Sequence, residues 1–205
     1  MITPNAVLDF WFAGCNPQLP PPPDRVGLWF QSTPEQDAAV REGFGAAMEA
    51  ARKGELDEWA ESSTGRLALI LLLDQLPRNA FRGTPAAFSG DQAALQHSLD
   101  AISEMQDLGL KTLHRVFLYL PLEHAEDIHM QQRCLALMSR AAAEAPPAMS
   151  EMMSTWVGFA EKHRDIIEKF GRFPHRNAVL GRTSTPAEQA FLAAGGDNFG
   201  QVAKG

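Results

Sequence analysis

The sequence predicts an all-α domain, in which antiparallel helical hairpins form an array or a bundle of about eight to ten helices. Strand signals are nearly absent, because the chain shows no clear apolar–polar alternation and no Asn-Gly or Asp-Gly turn. Threonine-proline pairs occur instead, starting at Thr3, Thr33, Thr84 and Thr185. A threonine hydroxyl can cap a helix, and proline suits the first helical position, where its missing N–H would have no partner.

Helix ends are predicted from caps and chain breakers. Gln36 and Glu188 lie three residues after a capping threonine, which completes two capping boxes. The proline-rich segment 14–24 predicts an extended connector, the double proline at 146–147 a break, and residues 195–205 a loose tail. The predicted helices cover about residues 4–13, 34–53, 55–61, 64–76, 87–107, 110–120, 123–144, 148–170 and 186–194.

The length, the net charge and the cysteine content limit which classes of protein this chain can belong to. The 205 residues suit a single domain over 1–205, and the net charge of −7 argues against a nucleic-acid partner. Two cysteines are too few for a disulfide framework, so we expect a reduced, cytoplasmic setting. The N-terminus lacks the basic start of a signal peptide, and the longest apolar run is Leu67 to Leu73. That run is far shorter than the roughly 20 residues that span a bilayer, so no membrane partner is expected.

An acid follows this apolar run at Asp74. We expect Pro77 to end the helix, which places Asp74 in the last turn, at the negative end of the helix dipole. A half-buried carboxylate there needs a cation, and Arg78, Arg82 or Arg176 could supply it. The set is either a buried ion pair that joins helix to loop or part of a binding site.

A second polar group occurs in the segment PLEHAEDIH. Pro121 is expected to break one helix and open the next, so its acids would lie near a helix start, where they are favoured. Alternatively, Glu123 and Asp127 lie four residues apart with His124 between them, a set that could bind a divalent cation or serve in acid–base chemistry. The segment matches no strict metal signature, so neither a metal site nor a cofactor is expected.

A third group surrounds the end of the helix over 148–170. His163 shares an apolar face with Trp156 and Phe159, so it is either a hydrogen-bonded core residue or a catalytic base. The loop that follows is basic, and its polar side chains are Arg172, His175, Arg176, Asn177 and Arg182.

The segments LPRNAFRGT and FPHRNAVLGRT are similar, since each has an apolar residue and proline before Arg-Asn and a later arginine beside glycine. The pairs Arg78-Asn79 and Arg176-Asn177 could therefore face one pocket, where arginine suits carboxylate or phosphate and asparagine both donates and accepts. Alternatively, the two segments are only similar helix-ending turns.

Four segments resemble the bacterial "domain of unknown function 924" family. They are VLDFWF (7–12), GRLALILLLDQLPRNAFRGTPAAF (65–88), FLYLPLEHAEDIHMQQRC (117–134) and HRDIIEKFGRFPHRNAVLGRTSTPAEQAFL (163–192). The resemblance implies tetratricopeptide-like helical hairpins in a right-handed array and supplies no catalytic residues. Residues 90–109 are the least distinctive segment, and we place no functional residue there.

Three functions remain open. The first is a binding or scaffold module with an Arg/His/Asn-lined pocket for a small anion, a carboxylate ligand or a peptide. The second is a hydrolase-type enzyme, with or without metal assistance. Its candidate catalytic residues are His124, His163, Glu123 and Asp127. The third is a purely structural ion-pair network. The predicted site residues are Asp74, Arg78, Asn79, Arg82, Glu123, His124, Asp127, His163, His175, Arg176, Asn177 and Arg182.

Overall fold

The computed structural model describes residues 2–200, which form helices and turns and contain no strand. The all-α prediction is therefore confirmed. No helix in this part of the chain is long and apolar enough to cross a membrane. The α-helical segments are α1 (Pro4–Trp11), α2 (Pro23–Phe30), α3 (Pro34–Arg52), α4 (Ser63–Ile70), α5 (Leu76–Ala80), α6 (Asp91–Ser103), α7 (Thr112–His124), α8 (Ile128–Ala143), α9 (Ser150–Phe170) and α10 (Pro186–Ala193).

Side-chain caps begin several of these helices, as the sequence predicts. Thr3 accepts a hydrogen bond from the first turn of α1, and complete capping boxes begin α3 at Thr33 and α10 at Thr185. Thr84 makes no such capping bond and precedes only a short 3₁₀ turn. The cap chemistry thus fixes three helix starts to the residue.

The core surrounds the segment from α4 to α5, in which every residue from 65 to 80 is buried. Helices α1, α3, α6 and α7 pack around this segment, and α7, α8 and α9 pack on one another in chain order. Most of α7 is buried as well, so α4, α5 and α7 form the centre of the molecule. The handedness of the array and its tetratricopeptide-like stacking stay predictions.

Helix α2 was not predicted, because prolines 20–23 were interpreted as a connector. The helix starts at Pro23, a position in the first turn where proline is tolerated. Its Leu28 and Trp29 are buried in the core. The extended connector is therefore shorter than expected.

The prediction that Pro77 ends its helix is wrong. Residues 71–75 form a π turn, in which the Leu76 N–H donates to the Leu71 carbonyl five residues earlier. The wider turn leads directly into α5, whose first turn contains Pro77 and tolerates its missing N–H. Asp74 therefore lies inside a continuous helix rather than at its negative end.

Pro121 does not break its helix either. Helix α7 continues through it to His124, so Glu123 and His124 end α7 instead of opening the next helix. The chain turns after His124, and α8 begins at Ile128. This places Glu123 and Asp127 on different elements.

Part of the tail predicted to be loose packs on the fold. The Phe199 ring stacks on His163 with ring centroids 3.6 Å apart, and the Gly200 carbonyl accepts a hydrogen bond of 2.8 Å from Arg82. The prediction is wrong for Phe199 and Gly200, and residues 201–205 lie outside the described residues.

Gly90, which precedes α6, packs directly against the π turn. A Cβ atom on Gly90 would lie 2.3 Å from the Leu73 carbonyl oxygen. We expect Gly90→Ala to lower the free energy of unfolding by about 1–3 kcal/mol, because backbone must move to relieve the clash. Urea denaturation measures this change.

Gly43→Ala is the matched control, because a Cβ atom on this exposed residue of α3 would have no neighbour within 4 Å. We expect it to raise stability by about 0.5–1 kcal/mol through helix propensity. Equal stability of the two variants would contradict the close approach of Gly90 to Leu73.

Candidate functional site

A cavity of about 490 Å³ opens between α2, the π turn, α5, α7, α8, α9 and the loop after α9. Its lining contains both apolar and polar side chains. The apolar lining residues, here called the apolar wall, are chiefly Trp29, Phe30, Met138, Met152, Trp156 and Phe159. The polar lining residues, here called the polar wall, include predicted site residues from three separate segments of the chain. They are Arg78, Asn79, Arg82, Glu123, His124, His163, His175 and Arg176.

Asp74 lies behind the polar wall and is fully buried. One carboxylate oxygen lies 3.1 Å from Nη1 of Arg78 and 2.7 Å from Nδ1 of His124, and the other accepts from Gln75 at 2.5 Å. Burial alone would raise the pKa of Asp74, but the charge of Arg78 and the bond from His124 hold it well below its usual range. Asp74 is therefore an anion at neutral pH, and its cation is the local Arg78.

The ionised Asp74 fixes the tautomer of His124. Since the carboxylate only accepts, Nδ1 of His124 must carry the proton that bridges the 2.7 Å gap. Burial and the neighbouring charge of Arg78 lower the pKa of His124, although Asp74 opposes them. The ring is therefore neutral at pH 7, and its Nε2 keeps a lone pair beside the cavity.

His163 offers a second imidazole, 6.3 Å from the His124 ring. Its Nδ1 lies 2.8 Å from the Phe159 carbonyl oxygen, so this nitrogen must donate as well. Nδ1 also lies 3.3 Å from Oε1 of Glu123. Burial and the charge of Asp74 raise the pKa of Glu123 to about 8, so this carboxyl is mostly protonated at neutral pH.

Arg78 and Arg176 both line the cavity, but they differ in how they are paired. Arg78 donates to both oxygens of Asp91, at 2.9 and 3.1 Å, and also lies beside Asp74. Arg176 donates to the His124 carbonyl at 3.0 Å, and within residues 2–200 its nearest approach to a carboxylate is 3.6 Å, to Asp91. Arg176 is thus the less neutralised cation.

Aromatic rings hold Arg176 in place. Its guanidinium lies 5.0 Å from the Phe88 ring centroid and 4.4 Å from that of Phe173. Its buried Nε has no hydrogen-bond partner among residues 2–200. Burial and the charge of Arg78 lower its pKa to about 10, and burial together with Arg176 lowers the pKa of His175 to about 3.

Arg82 lies at the edge of the cavity. It pairs with Asp37 at 3.1 Å and donates to the Ser32 hydroxyl at 2.7 Å, in addition to its bond with the Gly200 carbonyl. These contacts of Arg82 therefore connect the turn after α5 to the start of α3. Arg82 does not reach Asp74, which excludes it as the counterion that the sequence suggested.

Besides Asp74, three predicted site residues do not line the cavity. Asp127 caps α8 by accepting from two backbone N–H groups, so it cannot join Glu123 and His124 in one constellation. Asn177 is buried and donates to the Ser184 hydroxyl at 3.0 Å, whereas Arg182 pairs with Glu126 at 2.6 Å. Within residues 2–200, no group of three or more His, Cys, Asp or Glu side chains could hold a metal ion.

Sequence reasoning missed three contributors to the site. Asp91, the counterion of Arg78 and Arg176, lies in the segment where we expected no functional residue. An acid in the first turn of a helix is common, so nothing in the sequence distinguished it. Gln75 and Phe199 also line the cavity, the latter from the tail predicted to be loose.

Comparisons with known proteins agree with the resemblance. The family model described as "Bacterial protein of unknown function (DUF924)" matches residues 7–196. A solved structure of a protein of unknown function from Agrobacterium tumefaciens is 39% identical over 93% of this chain and 97% of that chain, with a TM-score of 0.77. The curated proteins give no significant match.

The raised pKa of Glu123 predicts how stability depends on pH. In the folded protein this pKa is about 8, above its ordinary value of 4.5. Between these two pH values Glu123 is therefore protonated in the folded state and ionised in the unfolded state. The contribution of the neutral Glu123 carboxyl to the free energy of unfolding is fully present below pH 4.5 and is lost as pH rises through about 8.

We therefore expect Glu123→Gln, which mimics the neutral carboxyl, to gain stability relative to the wild type as pH rises from 5 to 9. The gain should reach a few kcal/mol, since one pKa unit corresponds to about 1.4 kcal/mol. Urea denaturation of both proteins across this range measures the difference between their free energies of unfolding. The contributions of the other titrating groups are nearly the same in both proteins and largely cancel. A difference that does not change with pH would contradict a protonated Glu123.

Proposed function

The chain belongs to the DUF924 family of bacterial proteins of unknown function, and we propose that it binds a small organic carboxylate with an apolar body. The carboxylate contacts Arg176, and the apolar body lies among the aromatic side chains of the cavity. The observation that carries this proposal is the incomplete neutralisation of Arg176, a buried guanidinium beside the cavity that makes no direct hydrogen bond to a carboxylate of residues 2–200.

The electrostatics of the polar wall favour a monoanion. Asp74 and Asp91 balance Arg78 in direct contact and Arg176 only at a distance, whereas His175 is neutral because burial lowers its pKa. A ligand carboxylate would complete the hydrogen bonding of Arg176 with a charge-assisted bond. A phosphate dianion would add a second negative charge close to two aspartates, so a carboxylate fits better.

The apolar wall determines which kind of apolar body a ligand of this cavity has. Trp29, Trp156 and Phe159 line the cavity, and a volume of about 490 Å³ lies within the range of small-molecule sites. An unbranched chain or an aryl group would bury apolar area at about 25 cal/mol per Å². A peptide carboxyl terminus with an apolar last residue has the same head group and a similar body.

The structural alternative has support in one part of the site. Asp74, Arg78 and Asp91 form direct ion pairs that need no ligand. We assign these three residues a positioning role, since they hold Arg176 and His124 against the cavity. Arg176 remains the group through which an anion binds.

Titration calorimetry with 3-phenylpropanoate tests the proposal. We expect the wild type to bind it, and Arg176→Gln to lose about 10- to 100-fold in affinity, because a hydrogen bond to a charged group contributes about 1.5–3 kcal/mol. The neutral 3-phenylpropanamide should bind more weakly to the wild type and about equally to both proteins.

Arg133→Gln is the matched control. It removes the same charge from an exposed position of α8 outside the cavity lining and should leave the affinity unchanged. A wild type that binds neither 3-phenylpropanoate nor hexanoate at millimolar concentration would contradict the proposal. Tighter binding of a free tripeptide than of both acids would instead identify a peptide terminus as the ligand.

A further inference from the structure

We infer that the cavity also hydrolyses carboxylic esters, with His124 as the general base that activates water and Arg176 as the group that stabilises the oxyanion. The inference rests on the proposed carboxylate binding, because the carboxylate is then the product of the reaction. Both functions use the same cation, since the ester carbonyl oxygen takes the place that a carboxylate oxygen occupies after hydrolysis.

The base is already positioned in the structure. Asp74 is fully buried, and its oxygen lies 2.7 Å from Nδ1 of His124. This bond orients the ring and directs the proton to Nδ1, so that Nε2 can accept a proton. Gln75 and Arg78 hold the carboxylate from its other sides, which fixes the pair relative to the cavity.

The lining of the cavity favours water over a protein nucleophile. Thr155 supplies the one hydroxyl among the lining residues of the described chain, and it donates to the Glu151 carbonyl within α9 at 3.0 Å. Cys134 lies nearby but is buried, its sulfur 3.6 Å from the Tyr119 carbonyl oxygen, and burial raises its pKa well above the usual range. Neither group is prepared to attack an ester.

The step balances without a further reactant. Nε2 of His124 takes a proton from water while the water oxygen bonds to the ester carbonyl carbon, and the carbonyl electron pair moves to oxygen beside Arg176. The intermediate then re-forms the C=O bond and breaks the bond to the alkoxy oxygen, which takes the proton back from His124. Ester and water thus give carboxylic acid and alcohol, and the acid ionises at neutral pH.

Glu123 would impede this reaction as an anion, because it lines the same wall as the developing oxyanion. Burial and the charge of Asp74 raise its pKa to about 8, so it is mostly neutral at pH 7 and adds no negative charge there.

The experiment follows hydrolysis of 4-nitrophenyl butyrate. We expect steady turnover without a burst, inhibited competitively by 3-phenylpropanoate. In His124→Asn the side-chain amide can still donate to Asp74, but the base at Nε2 is gone. Its rate should fall about 100-fold or more, with binding of 3-phenylpropanoate retained. The control His129→Asn, on the exposed surface of α8, should keep the wild-type rate.

Equal rates for His124→Asn and the wild type would overturn the inference, as would a stoichiometric burst, which would indicate an acyl-enzyme. If 3-phenylpropanoate binds through Arg176 but no ester is turned over, hydrolysis fails and the binding function stands. If the acid does not bind, the proposed function itself fails. Should His124→Asn not fold, a wild-type rate equal in D₂O and H₂O would overturn general-base catalysis.

Discussion

The burial of Asp74 is the constraint on which the rest of the site depends. A carboxylate inside the central helix cannot stay charged without partners, because removing an ion from water costs several kcal/mol. Arg78 and His124 supply those partners at 3.1 and 2.7 Å. The same two contacts fix an arginine and an imidazole at the cavity wall, so that one buried charge orders groups from two helices. The π turn that contains Asp74 also lets the chain pass Pro77 without ending the helix.

Charge is distributed unevenly around this centre. Arg78 is neutralised by direct contact with two carboxylates, whereas Arg176 shares one of them at 3.6 Å. The ring centroids of Phe88 and Phe173 lie 5.0 and 4.4 Å from the Arg176 guanidinium, whose buried Nε has no hydrogen-bond partner among residues 2–200. The wall therefore combines a fixed cation with a neutral imidazole. Such a pair can bind an anion, and it can also stabilise negative charge that develops during a reaction.

Much of the fold could be predicted from local chemistry, since the threonine caps and the lack of strand signals depend on neighbouring residues alone. Arg78 and Arg176 both line the cavity, but the similarity of the two Arg-Asn segments had left open whether they would. The effects of Pro77 and Pro121 could not be predicted, because each depends on packing that holds a helix together across a missing hydrogen bond. The role of Asp91 was equally hidden, since its partners are set by tertiary contacts and an acid at a helix start is unremarkable. The apolar wall could not be predicted either, because apolar residues at helical spacing do not show whether they face a core or a cavity.

The tautomer of His124 is the property that joins the buried charge to the function of the cavity. Nitrogen-15 NMR of protein labelled in its histidine rings measures it directly, with His124→Asn identifying the resonances. At pH 7 we predict a neutral ring with a protonated Nδ1 and an unprotonated Nε2, because Asp74 accepts from Nδ1 and burial lowers the pKa. A ring protonated at Nε2 alone, or at both nitrogens, would contradict this account of the site.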